Sequence, residues 1–154
     1  MFSPHVHIPY HEIGNYLSYI REYRPDIEIY FPASDLDAIT AGDIKNLKEA
    51  LDYTPSLSFH APFMDLSPGA VDSKIREVTV NRFSHIMEIA EVLSPKVIVF
   101  HSGYDKWRYA QRADIWLEES IKTWRPLIER ASRSGIKIAI ENIFEDEPSN
   151  LVML

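Results

Sequence analysis

Three segments decide the fold of this chain: Leu57-Ser58-Phe59-His60, Ile98-Val99-Phe100-His101 and Ile138-Ala139-Ile140-Glu141. Each is a strand-like run that ends on a side chain of a type that binds metals. The spacing is 41 residues from His60 to His101 and 40 residues from His101 to Glu141. Such spacing fits successive strand–helix–strand units whose carboxyl-terminal strand ends meet around one axis. The three side chains are therefore predicted to converge in space.

The alternation of side chains along these strands favours a barrel over a flat sheet. Successive side chains of a strand point to opposite faces, so the polar strand ends share one face and the large apolar residues share the other. In a doubly wound sheet, both faces are covered and strands read as near-continuous hydrophobic runs. Residues 5–8 (HVHI) and 27–31 (IEIYF) follow the same alternation. We interpret the polar face as the barrel interior and mouth, and we favour His7 over His5 as a residue of the site.

Helical periodicity separates the five predicted strands. Helices are predicted after His11 as far as Pro25, after Thr40 as far as Pro55, from near Asp72 to Ser94, and from near Asp114 to Gly135. Ile75 and Val78 are predicted to belong to the buried stripe of the third helix, and Trp116 and Trp124 to the core. The resulting order βαβαβαβαβ favours a parallel α/β sheet.

The number of strands is smaller than a closed barrel needs. A (β/α)₈ barrel has eight strands and about 250 residues, whereas this chain has 154 residues. We expect a single domain over residues 1–154, the amino-terminal portion of a TIM barrel truncated after the fifth strand. Residues 148–154 predict a cap and the opening turn of a further helix. Two open sheet edges favour self-association or pairing with a complementary carboxyl-terminal half.

Composition limits the classes of partner and of site. No stretch approaches the roughly 18 apolar residues of a membrane span, and the amino terminus lacks a signal peptide, so we expect a cytoplasmic protein without a membrane partner. The absence of cysteine leaves His, Asp and Glu as the metal ligands. The formal net charge of −7 argues against nucleic acid as a partner, although a local basic groove around Arg108 and Arg112 stays possible.

Longer segments around the strand ends resemble one superfamily. They are residues 60–70 (HAPFMDLSPGA), followed by Arg76 and Arg82, then residues 99–104 (VFHSGY) and residues 139–142 (AIEN). Together and in this order they resemble the xylose isomerase-like TIM-barrel superfamily, whose members include sugar phosphate isomerases and epimerases and the type IV apurinic endonucleases. The resemblance implies a divalent metal at the carboxyl-terminal mouth. It also implies that Glu141 is a direct ligand and that His60 and His101 are ligands or substrate contacts.

The function that we expect is a metal-dependent isomerase or epimerase of a small sugar or sugar phosphate. We expect little turnover from this chain alone, because later strands of such a barrel would supply the remaining ligands. Mn²⁺, Mg²⁺ or Zn²⁺ would chelate adjacent substrate oxygens and stabilise an enediolate, while carboxylates move a proton between carbons. Glu141 and His60 are the predicted catalytic residues, and both join His101 as predicted metal ligands. The predicted substrate contacts are His7, Glu28, Trp107 and Asn142.

Other interpretations stay open at this point. An apurinic endonuclease-like phosphodiesterase would use the same three ligands in a zinc cluster, and a non-catalytic half-barrel would serve as a binding module. Instead of a metal, a salt bridge from Arg76 or Arg82 would neutralise Glu141. A single histidine at a strand end is more often structural than functional. Residues 145–147 (EDE) are either a solvated loop or part of a second metal site.

Overall fold

The computed structural model describes residues 4–143 and 148–154, and its centre is one parallel β-sheet. The strands are β1 (His5–Pro9), β2 (Asp26–Tyr30), β3 (Leu57–His60), β4 (Val97–His101) and β5 (Lys137–Glu141). They lie side by side in chain order, and all four pairings are parallel. The predicted five-stranded parallel α/β fold is therefore confirmed.

Helices connect the strands. They are α1 (Ile13–Tyr23), α2 (Ala33–Ala38), α3 (Ala41–Ala50), α4 (Ser73–Leu93), α5 (Ala113–Arg133) and the short α6 (Ser149–Val152), and a 3₁₀ turn, Tyr10–Glu12, precedes α1. Sequence periodicity did not predict α2, because six residues are too few for an apolar stripe to repeat. Thr40 and Asp43 start α3 with a reciprocal capping box. Nowhere in residues 4–143 or 148–154 is a helix both long and apolar enough to cross a bilayer.

The apolar face of the strands packs under the helices. Ile29, Phe59, Ile98 and Phe100 are completely buried there, at 0% exposure. Trp124 of α5 packs edge-to-face on Phe100, with ring centroids 5.6 Å apart. The predicted division between an apolar shell and a polar interior face is confirmed, and so is the core position of Trp124 and Trp116.

One part of the predicted α4 stripe is wrong. Ile75 and Val78 are 51% and 56% exposed, whereas Thr79 is completely buried. The Thr79 hydroxyl accepts a hydrogen bond from the Ser67 N–H at 2.9 Å and donates to the Ile75 carbonyl at 3.2 Å. A hydroxyl with both partners satisfied can replace an apolar residue in a core, and an apolar pattern cannot reveal such a position.

The loops that follow β3 and β4 are packed against each other. Tyr104, Tyr109 and Trp116 form a second buried cluster under these loops. Tyr109 shares a hydrogen bond with the Ser67 hydroxyl at 3.0 Å, so it caps the core between the two loops. Gly103 adopts a left-handed φ of +66°, where an added Cβ would lie 2.6 Å from the ring of Pro68. This packing holds the two loops against each other at the carboxyl-terminal edge of the sheet.

Candidate metal centre

Three strand ends bring His60, His101 and Glu141 together at the carboxyl-terminal edge of the sheet. The register pairs His60 with Val99 and His101 with Glu141, so all three side chains extend from the polar face. One ligand atom of each lies within 4.8 Å of the others. The predicted convergence of the three side chains is therefore confirmed.

The separations within this cluster fit a single cation. His60 Nε2 lies 3.3 Å from His101 Nε2 and 3.4 Å from Glu141 Oε2. His101 Nε2 lies 3.3 Å from the same carboxylate oxygen. Ligands about 2.0–2.2 Å from a tetrahedral ion are about 3.3–3.6 Å from one another. The three atoms therefore already have the spacing of one face of a metal coordination shell.

Neighbouring groups orient His60 for this role. The Nδ1 of His60 lies 2.9 Å from the Ala61 carbonyl oxygen, which can only accept a hydrogen bond. Nδ1 must therefore carry the proton, and the lone pair of a neutral imidazole is left on Nε2, which faces the cluster. The side chains of His60 and His101 are only 12% and 11% exposed, whereas that of Glu141 is 45% exposed. The cluster is enclosed below by imidazoles and open to the mouth beside Glu141.

A second polar network lies on the same face, beside the cluster. Glu28 Oε1 lies 3.0 Å from His7 Nδ1, and its other oxygen accepts from the Ser58 hydroxyl at 3.4 Å. His5 Nδ1 lies 2.8 Å from the Ser58 hydroxyl oxygen. The ring of His7 packs edge-on to His60, with centroids 6.2 Å apart. His7 is thus oriented by Glu28 and adjacent to the candidate ligands, as the alternation of β1 and β2 predicted.

Two aromatic residues that were absent from the predicted site lie against the imidazoles. Phe63 stacks on His101, and Tyr30 packs edge-to-face on His60 with centroids 5.4 Å apart. Burial raises the pKa of Tyr30, and the carboxylate of Asp35 adds to the shift, so its hydroxyl stays protonated at neutral pH. The proximity of Phe63 to His60 in the sequence, three residues further on, was the available signal.

A cavity of about 450 Å³ opens beside the cluster. Its lining includes His101, Glu141, Phe63, Asp65 and Arg108. Two of the predicted substrate contacts, Trp107 and Asn142, are exposed. Trp107 is 73% exposed, and its ring lies 5.8 Å from the ammonium of Lys106. Asn142 is exposed directly after β5.

The arginine alternative for Glu141 is contradicted. Arg76 forms an ion pair with Glu119 at 2.6 Å, and Arg82 with Asp37 at 2.5 Å. Both arginines thus link helices outside the cluster, because α4 directs them away from the strand ends. The predicted acidic run at residues 145–147 lies outside the described residues.

Comparisons with known proteins agree with this fold. The family model described as xylose isomerase-like TIM barrel matches residues 25–152. The uncharacterized protein MJ1311 of Methanocaldococcus jannaschii is 33% identical over 102 residues, which make up 66% of this chain and 35% of that protein. The match spans about a third of that relative's length.

Two solved structures share the fold. A D-tagatose 3-epimerase-like protein is 27% identical, with a TM-score of 0.72, over 88% of this chain and 53% of that chain. The TTHB071 protein from Thermus thermophilus, in a crystal soaked with ZnCl₂, is 22% identical with a TM-score of 0.79. That superposition covers 97% of this chain and 59% of the other. The chain thus spans a little over half the length of each.

Proposed function

The chain belongs to the xylose isomerase-like TIM barrel family, and from this premise we propose that it is a divalent-metal-dependent isomerase or epimerase of a small sugar or sugar phosphate. The observation that carries the proposal is the cluster of His60, His101 and Glu141, whose ligand atoms lie within 4.8 Å of one another. The two imidazoles are enclosed, and the carboxylate is open to the mouth. A substrate can therefore approach from the side of Glu141.

The proposed roles follow from the chemistry of each side chain. When bound, a divalent cation supplies Lewis acidity that polarises substrate oxygens and stabilises an enediolate. Glu141 would hold the cation through Oε2 and would be one of the two carboxylates that move the substrate proton. His60 and His101 would hold the cation through Nε2. His7, held by Glu28 at 3.0 Å, hydrogen-bonds a substrate hydroxyl.

The substrate class is supported by the cavity and by a relative. A volume of about 450 Å³ lies in the range of small-molecule sites. The D-tagatose 3-epimerase-like protein, at 27% identity, carries the name of a small-sugar enzyme. Glu28, Trp107 and Asn142 stay predicted substrate contacts.

A metal titration followed by a sugar assay tests this proposal. The chain is titrated with Mn²⁺, Mg²⁺ and Zn²⁺ by calorimetry and then incubated with ketoses, aldoses and their phosphates in D₂O. We expect one weakly bound ion per chain and slow incorporation of deuterium at a carbon next to a carbonyl, because three ligands hold an ion less tightly than a full coordination shell. The variant Glu141→Gln is expected to lose both, whereas Glu129→Gln, on the outer helix α5, keeps both. Metal binding without deuterium incorporation into any sugar would contradict the proposed reaction.

Phosphodiester hydrolysis is a second candidate, because two of the three candidate ligands are imidazoles, which suit Zn²⁺ better than Mg²⁺. Arg108 also lines the cavity beside His101 and Glu141, where it could face a phosphate. An oligonucleotide with one abasic site distinguishes the candidates. Cleavage that requires Zn²⁺, together with no deuterium incorporation into sugars, would favour the phosphodiesterase.

We also propose that the edge of β5 is covered by a second copy of the chain or by a complementary carboxyl-terminal half. Ile128 is 47% exposed, and with the partly buried Ile138 and Ile140 it lines an apolar cavity of about 420 Å³. The equivalent residues of β4, Ile98 and Phe100, are completely buried. Exposed sheet edges with an apolar flank recruit partners.

Sedimentation velocity over a range of protein concentrations tests the covered edge. We expect association that Ile128→Glu weakens and that Val71→Glu, at an exposed residue before α4, leaves unchanged. A chain that stays monomeric at every concentration, and that gains no partner from an added carboxyl-terminal half, would contradict this proposal.

A further inference from the structure

Phe63 lies flat against one of the candidate ligands. Its ring stacks on the imidazole of His101 with centroids 4.2 Å apart and an interplanar angle of 20°. The same ring meets His60 edge-to-face at 5.5 Å. Phe63 is only partly buried. One aromatic ring therefore touches both imidazoles of the cluster, and it does so without a polar group that would compete for a cation.

The position of Phe63 is fixed by the loop that carries it. The Phe63 carbonyl accepts from the Leu66 N–H at 3.2 Å, which closes a tight turn with Asp65 at a left-handed φ of +61°. The next residue, Ser67, is held by Thr79 on α4 and by Tyr109 of the following loop. On the other side of the turn, the Ala61 N–H donates to the Val99 carbonyl at 2.9 Å. Because the chain is held on both sides, the ring is presented to His101 by a preformed loop.

A stacked ring restricts the imidazole beneath it. Rotation of His101 about its χ2 angle would turn the imidazole edge into the face of Phe63, because the centroids are only 4.2 Å apart. The present ring plane directs Nε2 towards His60 Nε2 at 3.3 Å and Glu141 Oε2 at 3.3 Å. Ligands that are ordered before the ion arrives lose less conformational freedom on binding.

We propose that Phe63 is a positioning residue of the metal centre: it holds the His101 ring in the plane that directs Nε2 to the shared ligand position. This inference rests on the proposed function, since it assigns Phe63 a role towards the cation. It goes further in assigning to an apolar loop residue a part of the affinity of the site. Phe63 binds no ion, and its contribution comes from the order that it imposes on His101.

The test combines calorimetric titration with Zn²⁺ and ¹³C relaxation of the His101 ring in the metal-free protein. Phe63→Met keeps the apolar volume and removes the flat ring, whereas Phe63→Tyr keeps the ring. We expect Phe63→Met to weaken Zn²⁺ binding by about 10-fold, in the lower range for residues that orient metal ligands, and to raise the mobility of the His101 ring. Phe63→Tyr and the neighbouring control Met64→Ala are expected to match the wild type in both.

The two readouts separate this inference from the proposed function. Unchanged Zn²⁺ affinity and unchanged His101 ring order in Phe63→Met would overturn the role of Phe63. A wild-type chain that binds no divalent ion would overturn the proposed function. In that case the ring order in the metal-free protein still decides whether Phe63 positions His101. If Phe63→Met does not fold, Phe63→Leu provides the same comparison.

Discussion

His60 Nε2 lies 3.3 Å from His101 Nε2, a distance too short for a solvent molecule between the two nitrogens. When both imidazoles are neutral, at most one of these two facing nitrogens bears a proton, because a ring nitrogen that bears a hydrogen cannot accept from another. The Ala61 carbonyl already holds the proton of His60 on Nδ1. The pair is therefore arranged to offer at least one lone pair to a shared cation.

Binding of a divalent ion is expected to stabilise the fold. An ion present at 100 times its dissociation constant adds about 2.7 kcal/mol to the free energy of unfolding. Urea denaturation with and without Zn²⁺ measures the increment. It should disappear in His101→Gln and persist in His85→Gln, which changes the same residue type on α4 outside the cluster. An equal increment in both variants would mean that the ion binds elsewhere.

Thr79→Val is expected to destabilise the loop after β3, which carries Ser67. The substitution leaves the Ser67 N–H without its partner at 2.9 Å. An unsatisfied buried donor costs about 1–3 kcal/mol. Hydrogen exchange should show a loss of protection at the Ser67 amide, whereas Thr79→Ser keeps the hydroxyl and the protection. Equal protection in Thr79→Val and the wild type would show that the loop does not depend on this bond.

The ion pair between Glu91 and Arg130 predicts a pH-dependent stability. Hydrogen bonds from Arg130, at 2.8 and 2.9 Å, lower the pKa of Glu91 below its ordinary value. A carboxyl with a lowered folded-state pKa stabilises the fold above its ordinary pKa of 4.5. That contribution is lost as the pH falls through the lowered pKa. Because Glu91 is 40% exposed, we expect Glu91→Gln to cost under about 1 kcal/mol at pH 7.

Urea denaturation from neutral to acidic pH checks this prediction. The difference between Glu91→Gln and the wild type should shrink as the pH falls below the ordinary pKa of the carboxyl. Glu129→Gln, next to Arg130 on α5, removes the same charge and should show a smaller difference at pH 7. A difference that stays constant down to acidic pH would assign the effect of Glu91→Gln to packing instead.

Gly69→Ala is expected to lower the stability of the fold, whereas Gly14→Ala is expected to raise it. A Cβ at Gly69 would overlap the Ser120 hydroxyl and the indole of Trp116, both completely buried. Overpacking of this kind costs about 1–3 kcal/mol. Gly14 lies in α1 with nothing within 4 Å of an added Cβ, so alanine should stabilise the helix by up to about 1 kcal/mol. Thermal unfolding of both variants measures the contrast, and a stable Gly69→Ala would show that the loop after β3 can shift.

The strand and helix order could be predicted from the sequence, because period-2 and period-3.6 patterns depend on local geometry. The residues of the candidate site could be predicted for the same reason. His60, His101 and Glu141 each end a strand, and all three lie on its polar face. Helix α2 could not be predicted, because six residues are too few for an apolar stripe to repeat. The burial of Thr79 could not be predicted either. Its hydroxyl is compatible with the core only because the Ser67 N–H and the Ile75 carbonyl form hydrogen bonds with it.

The sequence by itself determined which residues end each strand and which face each side chain occupies, because both follow from the pleat of an extended chain. Only the tertiary structure decided that three ligand atoms lie within 4.8 Å of one another and that Phe63 stacks on His101. These distances depend on strand register and on a loop braced by Ser67 and Tyr109. Register and bracing arise from contacts between distant parts of the chain, which no local pattern encodes.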